Sequence, residues 1–160
     1  RPLAWLTGWG MSSDAEHVTR PHPEGLGLEL AIGAALRRAS IRPDQVGYIN
    51  PHATSTPAGD VAEYKALRSV FGDGLRSVPI SATKSMIGHL LGGAGAAEAA
   101  ACVCSLRDQR LHPSINVDEL DPVFELDLVR EARACDLRYV LKTSAGFGGH
   151  NCALVFERAG

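Results

Sequence analysis

The stretch Lys84-Ser85-Met86-Ile87-Gly88-His89, followed by Leu90-Leu91-Gly92-Gly93-Ala94-Gly95-Ala96-Ala97-Glu98, gathers a cation, an imidazole and a carboxylate among very small residues. Alanine is the strongest helix former, so a helix is expected after Gly95, closing through Leu106 and Arg107. Gly88, Gly92, Gly93 and Gly95 each cost an isolated helix about 1 kcal/mol relative to alanine. That cost is offset where backbone must pack against another element with no room for side chains, so a buried glycine-rich helix is expected. His89 falls about where it begins. The positive end of a helix disfavours imidazolium, which would leave His89 neutral and able to make one hydrogen bond as donor or acceptor. Glu98 lies in an apolar run, and a buried carboxylate needs a partner; Lys84 is the nearest candidate in sequence. The same residues also suit a purely structural reading, a core histidine beside a packing helix with a Lys–Glu pair.

A second histidine, His52, stands in the polar loop Pro51-His52-Ala53-Thr54-Ser55-Thr56-Pro57-Ala58-Gly59-Asp60. Two neutral imidazoles on strand-end loops suit stabilisation of a developing oxyanion. A nucleophile is missing. No Gly-x-Ser-x-Gly elbow occurs, and Ser81, Ser85 and Ser144 have no activating context. None of Cys102, Cys104, Cys135 and Cys152 sits in an electropositive turn that would lower a thiol pKa. His52 and His89 come without carboxylates at ligand spacing, so no metal is expected.

The elements that must position these groups follow from pattern and punctuation. Leu3 to Met11 reads as a strand and Ala15 to Pro23 as a loop. A helix follows from Pro23 or Glu24 to about Ser40, its apolar residues spaced near the helical period. After the turn Arg42-Pro43-Asp44, Val46 to Asn50 reads as a short strand. Thr56 before Pro57 has the form of an N-cap with proline in the first turn, opening a helix to about Phe71 that Gly72 ends. Pro79 to Thr83 is a strand delivering the chain to Lys84; Gln109 to Asn116 is extended and Asp118 to Pro122 a loop. Tyr139 to Ser144 and Cys152 to Glu157 read as strands joined through Ala145-Gly146-Phe147-Gly148-Gly149-His150-Asn151. Strands alternating with helices, then a terminal strand pair, describe an α/β layer with a mixed sheet, in one domain over residues 1–160. Sites in such sheets gather outside the carboxyl ends of strands, which would bring His52 and His89 together.

Composition narrows the function classes. With 45% hydrophobic and 21% charged residues and a formal net charge of −2, the chain gives no reason to expect nucleic acid or an anionic membrane as partner. No apolar run approaches bilayer-spanning length, and no signal-peptide pattern opens the chain, where Arg1-Pro2 leads straight into a strand. The four cysteines lack metal-ligand spacing and read as reduced, buried thiols, with a cytoplasmic location expected. His17, His22 and His112 read as loop or surface residues, and His150 as an organiser of the glycine turn.

At these residues the sequence resembles the C-terminal half of the β-ketoacyl-acyl-carrier-protein synthases, the ketosynthases of the thiolase-like superfamily. Tyr48 to Asp60 looks like that family's N-A-H-G-T-S-T-P-x-G-D block, Lys84 to His89 like its K-S-x-x-G-H block, and Gly146 to Asn151 like its G-F-G-G-[TH]-N turn. Three blocks in the family's order, spread over nearly the whole chain, make the resemblance specific. It implies decarboxylative Claisen condensation: an acyl group rides on a cysteine, a malonyl thioester on a carrier protein loses carbon dioxide, and the enolate attacks the acyl group. It carries the catalytic histidines onto His52 and His89, which hold the thioester carbonyl and stabilise the enolate, the lysine onto Lys84 and its carboxylate partner onto Glu98. Glu63 matches a glutamate on the helix after the first block, Thr54 and Thr56 match residues contacting the phosphopantetheine arm, and Phe147 matches a phenylalanine beside the reactive centre. No cofactor is implied beyond the phosphopantetheine that arrives on the acyl carrier protein.

Three departures alter the expectations. Ala53 stands where the family usually has glycine, and Pro51 replaces a small residue. Ala145 stands where a phenylalanine commonly gates the acyl pocket, preceded by Thr143-Ser144 in place of Asn-Ser, so a roomier acyl channel is expected. The family's nucleophilic cysteine lies in an N-terminal half that this chain lacks. The implied fold is therefore a thiolase-like half that completes a layered αβαβα architecture with an N-terminal half from another chain. A lone half would leave the glycine-rich helix with an uncovered apolar face, so an obligate partner and a homo- or hetero-oligomer are expected. Two other readings stand beside the catalytic one: a non-catalytic partner subunit resembling chain-length factors, and a scaffold using the fold as an interaction surface. Retention of both His52 and His89 favours catalysis.

Overall fold

A computed structural model describes residues 1–160. The strands are β1 (Ala4–Ser13), β2 (Val46–Asn50), β3 (Pro79–Ile80), β4 (Arg110–Leu111), β5 (Asp127–Leu128), β6 (Arg133–Ala134), β7 (Tyr139–Gly146) and β8 (His150–Arg158). The α-helices are α1 (Leu26–Ala39), α2 (Pro57–Phe71), α3 (Lys84–Ile87) and α4 (Ala94–Asp108). Six strands form one mixed sheet in the order β1-β8-β7-β2-β3-β5, and β4 with β6 makes a separate two-stranded ribbon. Strands β2, β3, β5 and β7 run parallel, whereas β8 pairs antiparallel with both β7 and β1. No helix is long and apolar enough to cross a membrane.

Both faces of the sheet are covered, which is why its central strands read as continuous apolar runs rather than as alternations. Successive side chains still point to opposite faces. Ile49, Leu141 and Val155 join the cluster that α1 and α2 cover, including Ile32, Leu36, Ala66 and Leu67. Their neighbours Tyr48, Val140 and Phe156 join a smaller cluster on the other face, with Cys102 and Leu106 of α4. Helix α4 buries the stripe Ala94, Glu98, Cys102 and Leu106, one residue per turn, as a helix lying on a sheet should.

Close approach of backbones occurs elsewhere than expected. An added Cβ at Gly8 would lie 2.2 Å from the Ala35 carbonyl oxygen and one at Gly10 1.9 Å from that of Ala31, so glycine lets β1 lie directly on α1. At Gly88 and Gly92 an added Cβ would meet nothing within 4 Å, and at Gly95 only the Ser144 hydroxyl at 3.9 Å. Within this chain the glycine-rich segment is thus packed on its sheet side and open on the other.

The boundaries shift for identifiable reasons. Gly25 is left-handed at φ 67° and delays α1 to Leu26. Thr56 takes the N-cap position with Pro57 behind it, but its hydroxyl faces Thr54 Oγ1 at 3.3 Å instead of capping α2. Gly72, at φ 57°, ends that helix as expected. Of the strand expected from Pro79 to Thr83, only Pro79 and Ile80 pair; Ser81 and Thr83 turn inward instead. The cysteines are free but not uniformly buried: Cys102 is, Cys104 is exposed, and Cys135 and Cys152 lie between.

Candidate active site

Strands β2, β3 and β7 are parallel, so their carboxyl ends share one edge of the sheet, and the three polar loops meet there. His52 follows β2 by two residues, Lys84 opens α3 just past β3, and Ala145 and Phe147 stand at the end of β7 and in the turn to β8. The His52 and His89 rings lie edge to face, 5.6 Å between centroids with planes at 86°. Both border a cleft of about 720 Å³ that is also lined by Thr54, Thr56, Glu63, Ala145 and Phe147. Lys84 and Glu98 lie behind the His52 ring rather than in the cleft wall.

His89 is not at the start of the long helix. Helix α3 closes after a single turn because Gly88 turns left-handed at φ 74° and its N–H caps the Lys84 carbonyl. His89 then lies in the link to α4, five residues before Ala94 and exposed. A local contact, and not the helix dipole, fixes its ring: the Leu91 backbone N–H donates to Nδ1 at 3.0 Å. In a neutral ring that acceptor role leaves the proton on Nε2.

His52 reaches the same tautomer by another route. The Lys84 ammonium has three protons and three acceptors around it: Glu98 Oε1, the His52 carbonyl oxygen at 2.5 Å and His52 Nδ1 at 3.3 Å. An ammonium only donates, so Nδ1 accepts and Nε2 carries the hydrogen. The His52 pKa falls from 6.5 to about 3, first because the ring is largely buried and then because Lys84, Lys142 and His89 oppose a further positive charge. The ring is neutral at physiological pH.

Glu63 of α2 shapes the loop that carries His52. Its Oε1 accepts the His52 N–H at 2.9 Å and the Thr143 hydroxyl at 2.6 Å, and its Oε2 accepts the Ala53 N–H at 2.8 Å. The loop needs that support: Ala53 and Ser55 both hold left-handed backbone, at φ 38° and 61°.

Two groups were not singled out from sequence. Lys142 of β7, read only as part of a strand, points to the α4 face; its ammonium pairs with Glu98 Oε2 and donates to the Thr143 carbonyl and Ser144 hydroxyl, each at 2.5 Å. The one hint in the sequence was a lysine directly after the apolar run Tyr139-Val140-Leu141. His112, read as a surface residue, is half-buried; burial lowers its pKa, and Nε2 lies 3.1 Å from both the Tyr48 hydroxyl and Thr83 Oγ1. Asn50 completes that network, donating to Tyr48 at 2.9 Å and Thr83 at 2.8 Å.

Comparison with known proteins places this geometry. The sequence matches the family described as "Beta-ketoacyl synthase, C-terminal domain" over residues 3–118. It is 50% identical over 157 residues to a 3-oxoacyl-[acyl-carrier-protein] synthase 2 of Vibrio harveyi, an alignment covering 97% of this chain and 38% of that protein. Among solved structures, it superposes with a TM-score of 0.95 and 33% identity on a type II ketosynthase bound to its acyl-carrier protein and a hexaketide, covering 98% of this chain and 39% of that one. The ishigamide ketosynthase/chain length factor gives a TM-score of 0.94 at 35% identity, covering 100% of this chain and 39% of that one. The chain thus spans well under half the length of the proteins it resembles.

Proposed function

Because the chain belongs to the family of β-ketoacyl synthase C-terminal domains, we propose that it forms one half of a condensing enzyme. Its substrates are malonyl-carrier-protein and an acyl thioester, and its other half, on an N-terminal segment or partner, supplies the cysteine nucleophile. Phosphopantetheine enters on the carrier protein, and Thr54 and Thr56, facing each other across the cleft wall, meet that arm. One observation carries the reading: His52 and His89 stand 5.6 Å apart with both Nδ1 atoms occupied, leaving two Nε2–H donors for one thioester oxygen.

The chemistry balances without any further reagent. The bond between C2 of the malonyl group and its carboxylate breaks, carbon dioxide departs, and the electron pair becomes the enolate of the thioester. The two imidazole N–H groups hold the negative oxygen. Carbon 2 then attacks the carbonyl of the acyl group on the partner's cysteine, and collapse of that adduct expels the thiolate. Preorganised donors of this kind are each worth about 10²–10³ in rate.

The surface around the cleft supports a covering half. Met86, Ile87, Leu90, Leu91 and Phe147 are all exposed, Leu91 and Phe147 to more than three quarters of their area. An apolar rim of that size on a soluble chain marks a contact surface. A chain-length-factor-like, non-catalytic role is the second reading, favoured by the likeness to a ketosynthase/chain length factor structure. Assembly with the cysteine-bearing half, followed by malonyl-carrier-protein and an acyl thioester, separates them. A 3-oxoacyl product that disappears when His52 is replaced supports the catalytic role; undiminished product assigns catalysis to another subunit.

A further inference from the structure

The chain has four buried ionisable side chains among its lysines, arginines, aspartates and glutamates: Glu63 (8% exposed), Lys84 (8%), Glu98 (1%) and Lys142 (1%). All four lie around one histidine. Glu63 holds the His52 backbone N–H, Lys84 touches the ring and carbonyl of His52, Glu98 holds Lys84, and Lys142 holds Glu98. Two positive and two negative charges cancel. Without Lys142 the set would carry one uncompensated negative charge, with the second oxygen of Glu98 left without a cation. A buried negative excess would attract a proton to a nearby imidazole and oppose negative charge on the substrate.

We propose that Lys142 is a positioning residue of this site, a second buried ammonium that balances Glu63 and Glu98, anchors Glu98 beneath Lys84 and thereby keeps His52 working as an uncharged donor. The proposal rests on the condensing-enzyme reading of the same site and adds a residue to it. The topology explains how a lysine reaches this position. Along β7, Val140 and Lys142 face α4, whereas Leu141 and Thr143 face α2, where the Thr143 hydroxyl joins Glu63. One short stretch of strand therefore serves both carboxylates, one on each side of the sheet. The Lys142 ammonium donates to the Thr143 carbonyl and the Ser144 hydroxyl and meets Glu98 Oε2 as an ion pair; Oε2 has no hydrogen-bond donor of its own, so Lys142 is the cation that offsets it.

The charge environment of His52 is made up of few groups. Lys84 comes from α3, Lys142 from β7, His89 from the link before α4, Glu98 from α4, and Glu63 with the half-buried Asp60 from α2. Lys142 also faces Cys102 and Cys152, whose thiols burial pushes up, that of Cys102 to about 12; they stay neutral and leave the balance unchanged.

The test is titration of the His52 ring by NMR of the histidine-labelled chain, in whatever assembly it purifies with, in three variants. Lys142→Met leaves the negative excess, so the His52 midpoint rises by about one unit or more, a tenfold gain in proton affinity. Adding Glu98→Gln to Lys142→Met restores neutrality and returns the midpoint toward that of the unaltered chain. An unmoved midpoint in Lys142→Met, or no return in the double variant, overturns the proposal. Where Lys142→Met fails to fold, Glu98→Gln alone is compared with the double variant: a higher midpoint in the double variant supports the proposal and an equal one overturns it. A lysine that served only to fill the core would leave the ring's titration in place. If the midpoints move as stated but the assembly releases no carbon dioxide from malonyl thioester, the condensing reading fails and the role of Lys142 stands.

Discussion

Replacing His52 with glutamine gives the sharpest stability prediction, because the ring's proton affinity differs so much between folded and unfolded chain. Unfolded, the imidazole takes a proton near pH 6.5; folded, it resists until about pH 3, owing to burial and then to Lys84, Lys142 and His89. Between those values the unfolded state holds more protons, so stability falls as pH falls. From pH 7 to pH 5 about 1.5 units of that window are crossed, at about 1.4 kcal/mol per unit, or about 2 kcal/mol. The ring keeps an open edge to the cleft, which reduces the figure toward 1 kcal/mol. Burial shifts His112 in the same sense, whereas the raised carboxyl of Asp60 acts in the opposite one, so the comparison must be differential. Urea unfolding of the unaltered chain and of His52→Gln at pH 7 and pH 5 makes it so. Glutamine keeps an N–H donor and cannot titrate, so the variant should lose about 1–2 kcal/mol less on acidification. Equal losses in both would refute the claim that His52 is held neutral.

Further substitutions probe the loop, the backbone and the acyl channel. Glu63→Gln replaces one acceptor of three hydrogen bonds by a donor facing backbone N–H groups; it should cost about 1–3 kcal/mol in denaturant unfolding and slow condensation by misplacing His52. Ala53 holds φ at 38°, which glycine adopts freely, so Ala53→Gly should leave stability unchanged or raise it by up to about 1 kcal/mol, read as a shift in the denaturation midpoint. Ala145 lines the cleft, so Ala145→Phe should shorten the products in a chain-length profile of the assembled enzyme; an unchanged profile would refute a gating position there.

Much of this site could be read before any coordinates, and what could not has a physical cause in each case. Strand β2, helix α2 and the β7–β8 hairpin are bounded by Pro, Gly and polar residues, and their patterns survive tertiary packing. The convergence of His52 with His89 follows from strands that are parallel, since parallel strands end on one edge. The Lys84–Glu98 pair followed from the cost of burying a lone carboxylate. Strands β3 and β4 lie inside the stretches read as extended, but each pairs over two residues only; β5 and β6 are created by pairing with distant partners, Asp127 with Pro79 and Arg133 with Leu111, so local pattern carries no trace of them. His89 was expected at a helix start because alanines and glycines read as one run; the left-handed Gly88 cuts that run in two. The glycines of that run meet open space here, and those that matter to packing within the chain, Gly8 and Gly10, sat unnoticed in a strand. Lys142 was passed over for the reason that makes it informative. A lysine in a strand is ordinarily solvent-facing, and only a sheet covered on both faces forces it inward onto a carboxylate.

The central claim is that two imidazole Nε2–H donors, those of His52 and His89, jointly hold an enolate oxygen. Its most direct measurement is the rate of carbon dioxide release from malonyl-carrier-protein by the assembled enzyme, with His52→Ala and His89→Ala compared singly against the parent. Loss of either Nε2–H donor should slow release by about 10²–10³-fold while the carrier protein still binds. Release at the parental rate in either variant would contradict the claim.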